Sequence, residues 1–212
     1  MRNNSRPFKA ALFFIVSGAV WLTVFMAFSA KIASSLLPLL RWEISVIAPQ
    51  YRLVDLSLAH WQGEEIIKAE VLTRHPLQIA GRAVPAGIPM ECSTLVGHLL
   101  QPLILLLSVV SAACLIRRGS MAAALFLCLI AAGIVIVIDV PFVLVGALED
   151  MILSVASPPQ AGYSPWVTWM DFLNGGGRLA LALAVALAVV SVSGMGSREP
   201  RSGNIHRYYA GH

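Results

Sequence analysis

The chain has 212 residues, of which 58% are hydrophobic and only 12% charged, with a formal net charge of +4. A soluble domain averages about 45–50% apolar and about 25% charged residues. The deficit of charge, with a mean hydropathy of +0.77, excludes a disordered chain, a coiled coil, a nucleic-acid-binding domain and an ordinary cytosolic enzyme. What remains is an all-α membrane bundle with little mass outside the bilayer, its surplus Lys and Arg flanking the spans.

A hydrocarbon layer of about 30 Å needs about 20 apolar residues in a helix. Residues 10–30 supply the first span, uncharged between Lys9 and Lys31, after an N-tail (1–9) with Arg2, Arg6 and Lys9. Ala27-Phe28-Ser29 resembles the small-x-small end of a signal peptide. The apolar run exceeds the about 7–15 residues of such a peptide, so an uncleaved anchor is expected.

Residues 31–94 form the larger outer segment. Ile32 to Val46 is apolar, interrupted by Pro38 and Arg41-Trp42-Glu43, and reads as an amphipathic helix lying at or leaving the membrane surface. Val54, Leu56 and Leu58 then alternate with Asp55 and Ser57, and a second run covers Ile66 to Leu72. The pattern predicts a β-hairpin turning at Gln62-Gly63. A short extended piece is expected over Leu77 to Val84, and Pro85 and Pro89 keep the approach to the next span non-helical. An outer hairpin with an open edge can recruit a strand from a partner, which makes Val54, Leu56, Leu58, Trp61 and Ile66 candidate partner-binding residues.

The second span is 95–116, closed by Arg117 and Arg118 in a short loop (117–120). The third is 121–140, uncharged to Ile138. Asp139 and Pro141 are read as its outer end, at headgroup level, followed by an interfacial loop (141–178) with Pro158, Pro159, Tyr163, Pro165, Trp166 and Trp169. The fourth is 179–195, after Gly175-Gly176-Gly177 and Arg178, with a polar C-tail (196–212). The N-tail, the Arg-Arg loop and the C-tail hold eight basic residues and one acid, Glu199; the other side holds seven basic residues and nine acids, with Asp139 counted to neither. This asymmetry puts both termini in the cytoplasm of a plasma (inner) membrane protein, and four spans give the same parity.

The chemistry-bearing residues are few. Cys92 is the one cysteine outside the predicted spans; Cys114 and Cys128 read as small apolar packing residues. Placed before a helix N-terminus, Cys92 would be a candidate nucleophile, with Arg178 as electrostatic support and His60 or His75 as base. His98 and Asp139 are the polar residues of the spans, and an intramembrane acid would fit a small transporter. There is no CxxC, HExxH or Cys/His cluster, and the triple glycine lacks the Lys-Ser/Thr of a phosphate-binding loop. No metal, cofactor, nucleotide or nucleic acid is therefore expected; the expected partners are the lipid bilayer and another integral membrane protein.

"ECST" around Cys92 and "NGGGR" from Asn174 to Arg178 resemble the outer Cys and Asn…Arg motifs of the exosortase/archaeosortase membrane transpeptidases. Those enzymes have more spans and a His opening a further span, which this chain lacks. The layout as a whole, with an N-terminal span, the "LLPLL" stretch, a short β-rich outer segment and three further spans, resembles the small exosortase-associated membrane proteins. That resemblance implies a non-catalytic accessory subunit of a bacterial envelope protein-sorting, processing or export assembly. The alternatives are a membrane thiol transpeptidase or protease using Cys92, and a small transporter using Asp139.

Overall fold

The computed structural model describes residues 5–79, 82–117, 121–156 and 164–195. The first four residues, Pro158, Pro159, Tyr163 and the C-tail lie outside them. Four helices are long and apolar enough to cross a membrane: Phe8–Ile47, Val96–Ile116, Ala122–Ser154 and Pro165–Ser193. Helix α1 (Ser5–Ile47) runs unbroken for 43 residues, about 65 Å at 1.5 Å per residue. Helix α2 (Val96–Arg117) has 22 residues and α3 (Met121–Ala156) has 36. The last span is bent: α4 (Pro165–Phe172) passes through a widened turn (Leu173–Gly177) into α5 (Arg178–Met195).

Two helices exceed their expected bounds. α1 continues through Pro38 rather than breaking into a separate surface helix after residue 30. α3 continues through Asp139 and Pro141 to Ala156, so the third helix does not end at residue 140 and 141–156 is not loop. Both extensions are apolar for a reason other than lipid. Leu40 and Ile44 of α1 and Leu144 and Leu148 of α3 lie in one buried cluster with the residues of a β-sheet. Burying each such side chain contributes about 1.5–3 kcal/mol relative to water.

That sheet holds β1 (Tyr51–Trp61), β2 (Glu64–Thr73) and β5 (Pro89–Leu95) in the order β1-β2-β5, all neighbours antiparallel. β3 (Leu77–Ile79) and β4 (Arg82–Val84) form a separate two-stranded ladder. The first hairpin turns at Gln62-Gly63, with φ of +52° and +84°. Two successive positive φ values define the tight turn whose twist suits a hairpin. The expected hairpin is thus two strands of a three-stranded sheet. β5 occupies the stretch read as a non-helical approach to α2.

The sheet lies on one end of the bundle. Ile67, Ala69 and Val71 of β2 and Met90, Cys92 and Thr94 of β5 point inward and are buried. Asp55, Glu70 and Glu91 share one rung across the three strands on the other face. Lys68 Nζ lies 3.0 Å from both Glu70 and Glu91, and Arg41 lies 3.5 Å from Asp55. These two carboxylates push the Lys68 ammonium pKa up from its usual value. Thr73 ties the end of β2 to the approach of β5. Its hydroxyl donates to the Pro85 carbonyl at 2.9 Å and accepts from the Ile88 N–H at 3.0 Å.

α2 is the centre of the bundle, packed against α1, α3 and α5. Small residues let α1 approach it closely. The Ser17 hydroxyl donates to the Ser108 carbonyl at 3.0 Å, and the Trp21 indole donates to the Ser111 hydroxyl at 3.1 Å. Such interhelical bonds are worth about 0.6 kcal/mol each on average. Pro141 removes the donor for the Val137 carbonyl; the next carbonyl, Ile138, accepts from the Trp169 indole at 3.0 Å.

Candidate functional site

The polar groups of the spans converge where the helices meet the sheet. Counted at about 1.5 Å per residue, Asp139 stands about 27 Å from Met121, Arg178 about 26 Å from Met195, and His98 about 29 Å from Arg117. All three therefore occupy one level, close to a hydrocarbon thickness from the opposite end of the bundle.

Asp139 and Arg178 form a buried ion pair. Arg178 Nε donates to Oδ1 at 2.7 Å and to Oδ2 at 3.0 Å, and the two residues are 1% and 4% exposed. Asp139 is therefore not the exposed end of a span, and Arg178 is not a surface anchor. Burying two charges is costly unless they are closely matched, and removal of one leaves the other stranded. Arg178 reaches its partner because the chain bends just before it. Gly176 has φ +106°, a conformation that side-chain-bearing residues rarely adopt, and the bend lies in the widened turn 173–177. Widened turns of this kind recur at functional positions in helices. Arg178 Nη2 is buried without a hydrogen-bond partner among the described residues.

Beside this pair is a cleft of about 370 Å3 between the hairpin turn, the end of β5 and helices α2, α3 and α4. Trp61 and Glu64 stand at the turn, Ser93 on β5, His98 on α2, Met170 on α4, and Asn174 in the bend. His98 is within electrostatic reach of both Arg178 and Glu64. The α4 wall is held by close packing. Ser164 caps α4, accepting from the Trp166 N–H at 3.2 Å and donating to the Glu149 carboxylate of α3. A Cβ at Gly146 would sit 2.7 Å from the Trp166 carbonyl oxygen, so the two helices touch through backbone.

Cys92 does not line this cleft. It sits on strand β5 opposite Ala69, not before a helix N-terminus, and is 7% exposed. Its Sγ lies 3.5 Å from the Leu144 carbonyl of α3. Burial, with repulsion from Glu91, pushes its thiol pKa up to about 12. A thiol held protonated supplies no thiolate at neutral pH. Nearby Tyr51, closing the same inward face, is likewise pushed up to about 12 by burial and the charge of Glu149. His60 lies 3.9 Å from Glu65 at the hairpin tip, and His75 is exposed. Asp139, held by Arg178, is equally poorly placed as a free carrier of protons or ions.

The candidate partner-binding residues divide. Val54 and Trp61 are exposed, at 51% and 60%, and Leu58 is half-buried. Leu56 is buried in the core, and Ile66, though buried, lines the cleft beside the hairpin turn. The division has a local cause: the register of β1 against β2 shifts between Leu53 and Asp55. Val54 is the extra residue of this bulge, so the simple alternation of Val54, Leu56 and Leu58 does not hold. The Asp139–Arg178 pair was missed by sequence reasoning. Its signal was present in the shared distance of both residues from the basic ends of their helices. Among the described residues, no three His, Cys, Asp or Glu side chains gather as metal ligands.

Compared with protein-family models, curated proteins and solved structures, the chain matches none.

Proposed function

We propose that the protein is a non-catalytic accessory subunit of a bacterial envelope protein-sorting, processing or export assembly. In this reading it is anchored by four spans in the plasma membrane with both termini cytoplasmic. The observation that carries the reading is the long β1 strand. It pairs only with β2 among the described residues, and it presents Val54 and Trp61 outward. An unpaired strand edge is a template for a partner's strand. The burial of Cys92 on β5, which pushes its thiol pKa up, favours an accessory role over a thiol enzyme. The excess of Arg and Lys in the N-tail, the Arg117-Arg118 loop and the C-tail supports the orientation. The layout shared with exosortase-associated proteins supports the kind of assembly.

The test is site-specific photo-crosslinking in the native cells. A photoreactive residue at Val54 or Trp61 should give a discrete adduct with an integral membrane protein of the sorting machinery. Val54→Lys combined with Trp61→Lys should abolish that adduct. Crosslinks to lipid alone, or envelope protein processing that continues unchanged in cells lacking the chain, would refute the proposal.

A further inference from the structure

We infer that the outer extension of α1 pairs with the same segment of a second copy of this chain, through a stripe led by Leu39, Trp42 and Val46. The pairing uses none of the β1 contacts. Height comes first. α1 runs toward the sheet and α2 away from it. The Ser17 hydroxyl donates to the Ser108 carbonyl, so these two positions share a level. Ten residues closer to the sheet stand Ala27 on α1 and His98 on α2. The His98 level lies about a hydrocarbon thickness from the opposite end of the bundle. Leu39 is therefore about 18 Å beyond that level along α1, and Val46 about 28 Å. Yet Leu39, Trp42 and Val46 are 39%, 62% and 58% exposed. Lipid chains do not cover them at that height, and an apolar stripe facing water marks an interaction surface.

The spacing makes the occupant a helix. Phe28, Ile32, Ser35, Leu39, Trp42 and Val46 follow one another at intervals of four, three, four, three and four residues. This is the 3.5-residue repeat by which the side chains of one helix enter the gaps of another. Ser35, the polar member, donates its hydroxyl to the Ile32 carbonyl of its own helix at 2.7 Å, so pairing strands no donor there. Its small side chain lets two backbones approach.

Glu43 makes the occupant a copy of α1. It is 5% exposed, and its Oε2 is buried with no hydrogen-bond partner among the described residues. In a parallel pair the Trp42 side chain enters the gap between Leu39, Trp42, Glu43 and Val46 of the other copy. The indole N–H of each copy is then the donor that the other's Glu43 lacks. Such a helix must also cross the bilayer beside α1 and continue about 28 Å past the hydrocarbon. A second α1 does so, aligned by a two-fold axis along the membrane normal. α1 has the side free to receive it: 6% of its apolar window is buried, against 28–56% for the other three spans. Arg41, the exposed charge of this segment, is answered by Asp55 of its own chain, so two copies meet without unpaired like charges.

The test is disulfide trapping in native membranes, on the full chain with Cys92, Cys114 and Cys128 changed to Ala. Under mild oxidation Leu39→Cys should give a homodimer, twice the 22.7 kDa of the chain. Ser34→Cys, exposed on another flank of the same helix, should stay monomeric. In detergent, sedimentation equilibrium should show the dimer weakened roughly tenfold by Trp42→Phe, about the worth of one hydrogen bond to a charged group. Leu39→Glu should abolish it. Both side chains are exposed in the single chain, so the variant monomers should keep the parent's thermal unfolding, which separates lost pairing from lost folding. Absence of a trapped dimer, equal trapping at Ser34→Cys, or a dimer indifferent to Trp42→Phe and Leu39→Glu would overturn the inference. Leu39→Cys trapped only to a different protein would assign the stripe to a foreign helix and overturn the pairing of two copies.

Discussion

Asp139 and Arg178 are the residues on which the bundle depends most, since each neutralises a charge that water does not reach. Asp139→Leu should cost about 3–5 kcal/mol, the usual penalty for breaking a buried pair. The double variant Asp139→Leu, Arg178→Leu should cost less than either single change, because no charge is then stranded. Unfolding equilibria in detergent or bicelles measure this; a double variant as damaged as the sum of the singles would disprove the pairing energy. Cys92 and Tyr51 make a second prediction at this scale. Both have pKa values raised to about 12, from 9.0 and 10.0. Between those limits the unfolded chain loses protons that the folded chain keeps, so stability is full below about pH 9 and falls as pH rises toward 12. Cys92→Ala should remove the earlier part of that fall. In the folded chain a maleimide should leave Cys92 unlabelled at pH 8, then label it once the chain is unfolded.

Among the elements, the bent fourth span is the most constrained. Gly146 packs against the backbone of α4, so Gly146→Val should force α4 away from α3 and cost about 1–3 kcal/mol, with altered Trp166 fluorescence. Gly18 is a contrasting case. A Cβ there would sit 3.6 Å from Ser108 Oγ, an ordinary contact, so Gly18→Ala should leave stability unchanged within about 0.5 kcal/mol. Gly176→Ala should cost about 1–3 kcal/mol through backbone strain and displace Arg178 from Asp139. How legible each element is in the sequence follows from where its determinants lie. The Gln62-Gly63 turn is local chemistry and can be read directly, as can the four apolar runs. The extensions of α1 and α3 cannot be read this way, because hydropathy does not distinguish a side chain facing lipid from one facing a sheet. The Val54 bulge and strand β5 depend on β2 as a partner. The Asp139–Arg178 pair joins residues 39 positions apart, and no local pattern records that contact.

The molecule as a whole has two layers, a bundle of helices and a sheet seated on the upward extensions of α1 and α3. Seven basic residues and nine acids in the segments on the sheet side, against eight basic residues and one acid on the other, are the basis of the proposed orientation. Reporter fusions at His212 should read cytoplasmic, and Arg74→Cys should react with an impermeant maleimide on intact cells. The reverse pattern would invert the topology and remove the basis for an outer docking surface.

The unequal lengths of the helices have one more consequence. α1 and α3 remain apolar far beyond a single bilayer thickness, so their sequences do not fix where the membrane ends. α2 and α5 do, with 22 and 18 residues, about 33 and 27 Å. The short helices act as a ruler and the long ones as sliding posts. A bilayer thicker than that ruler would draw the His98 level into hydrocarbon and tilt the bundle.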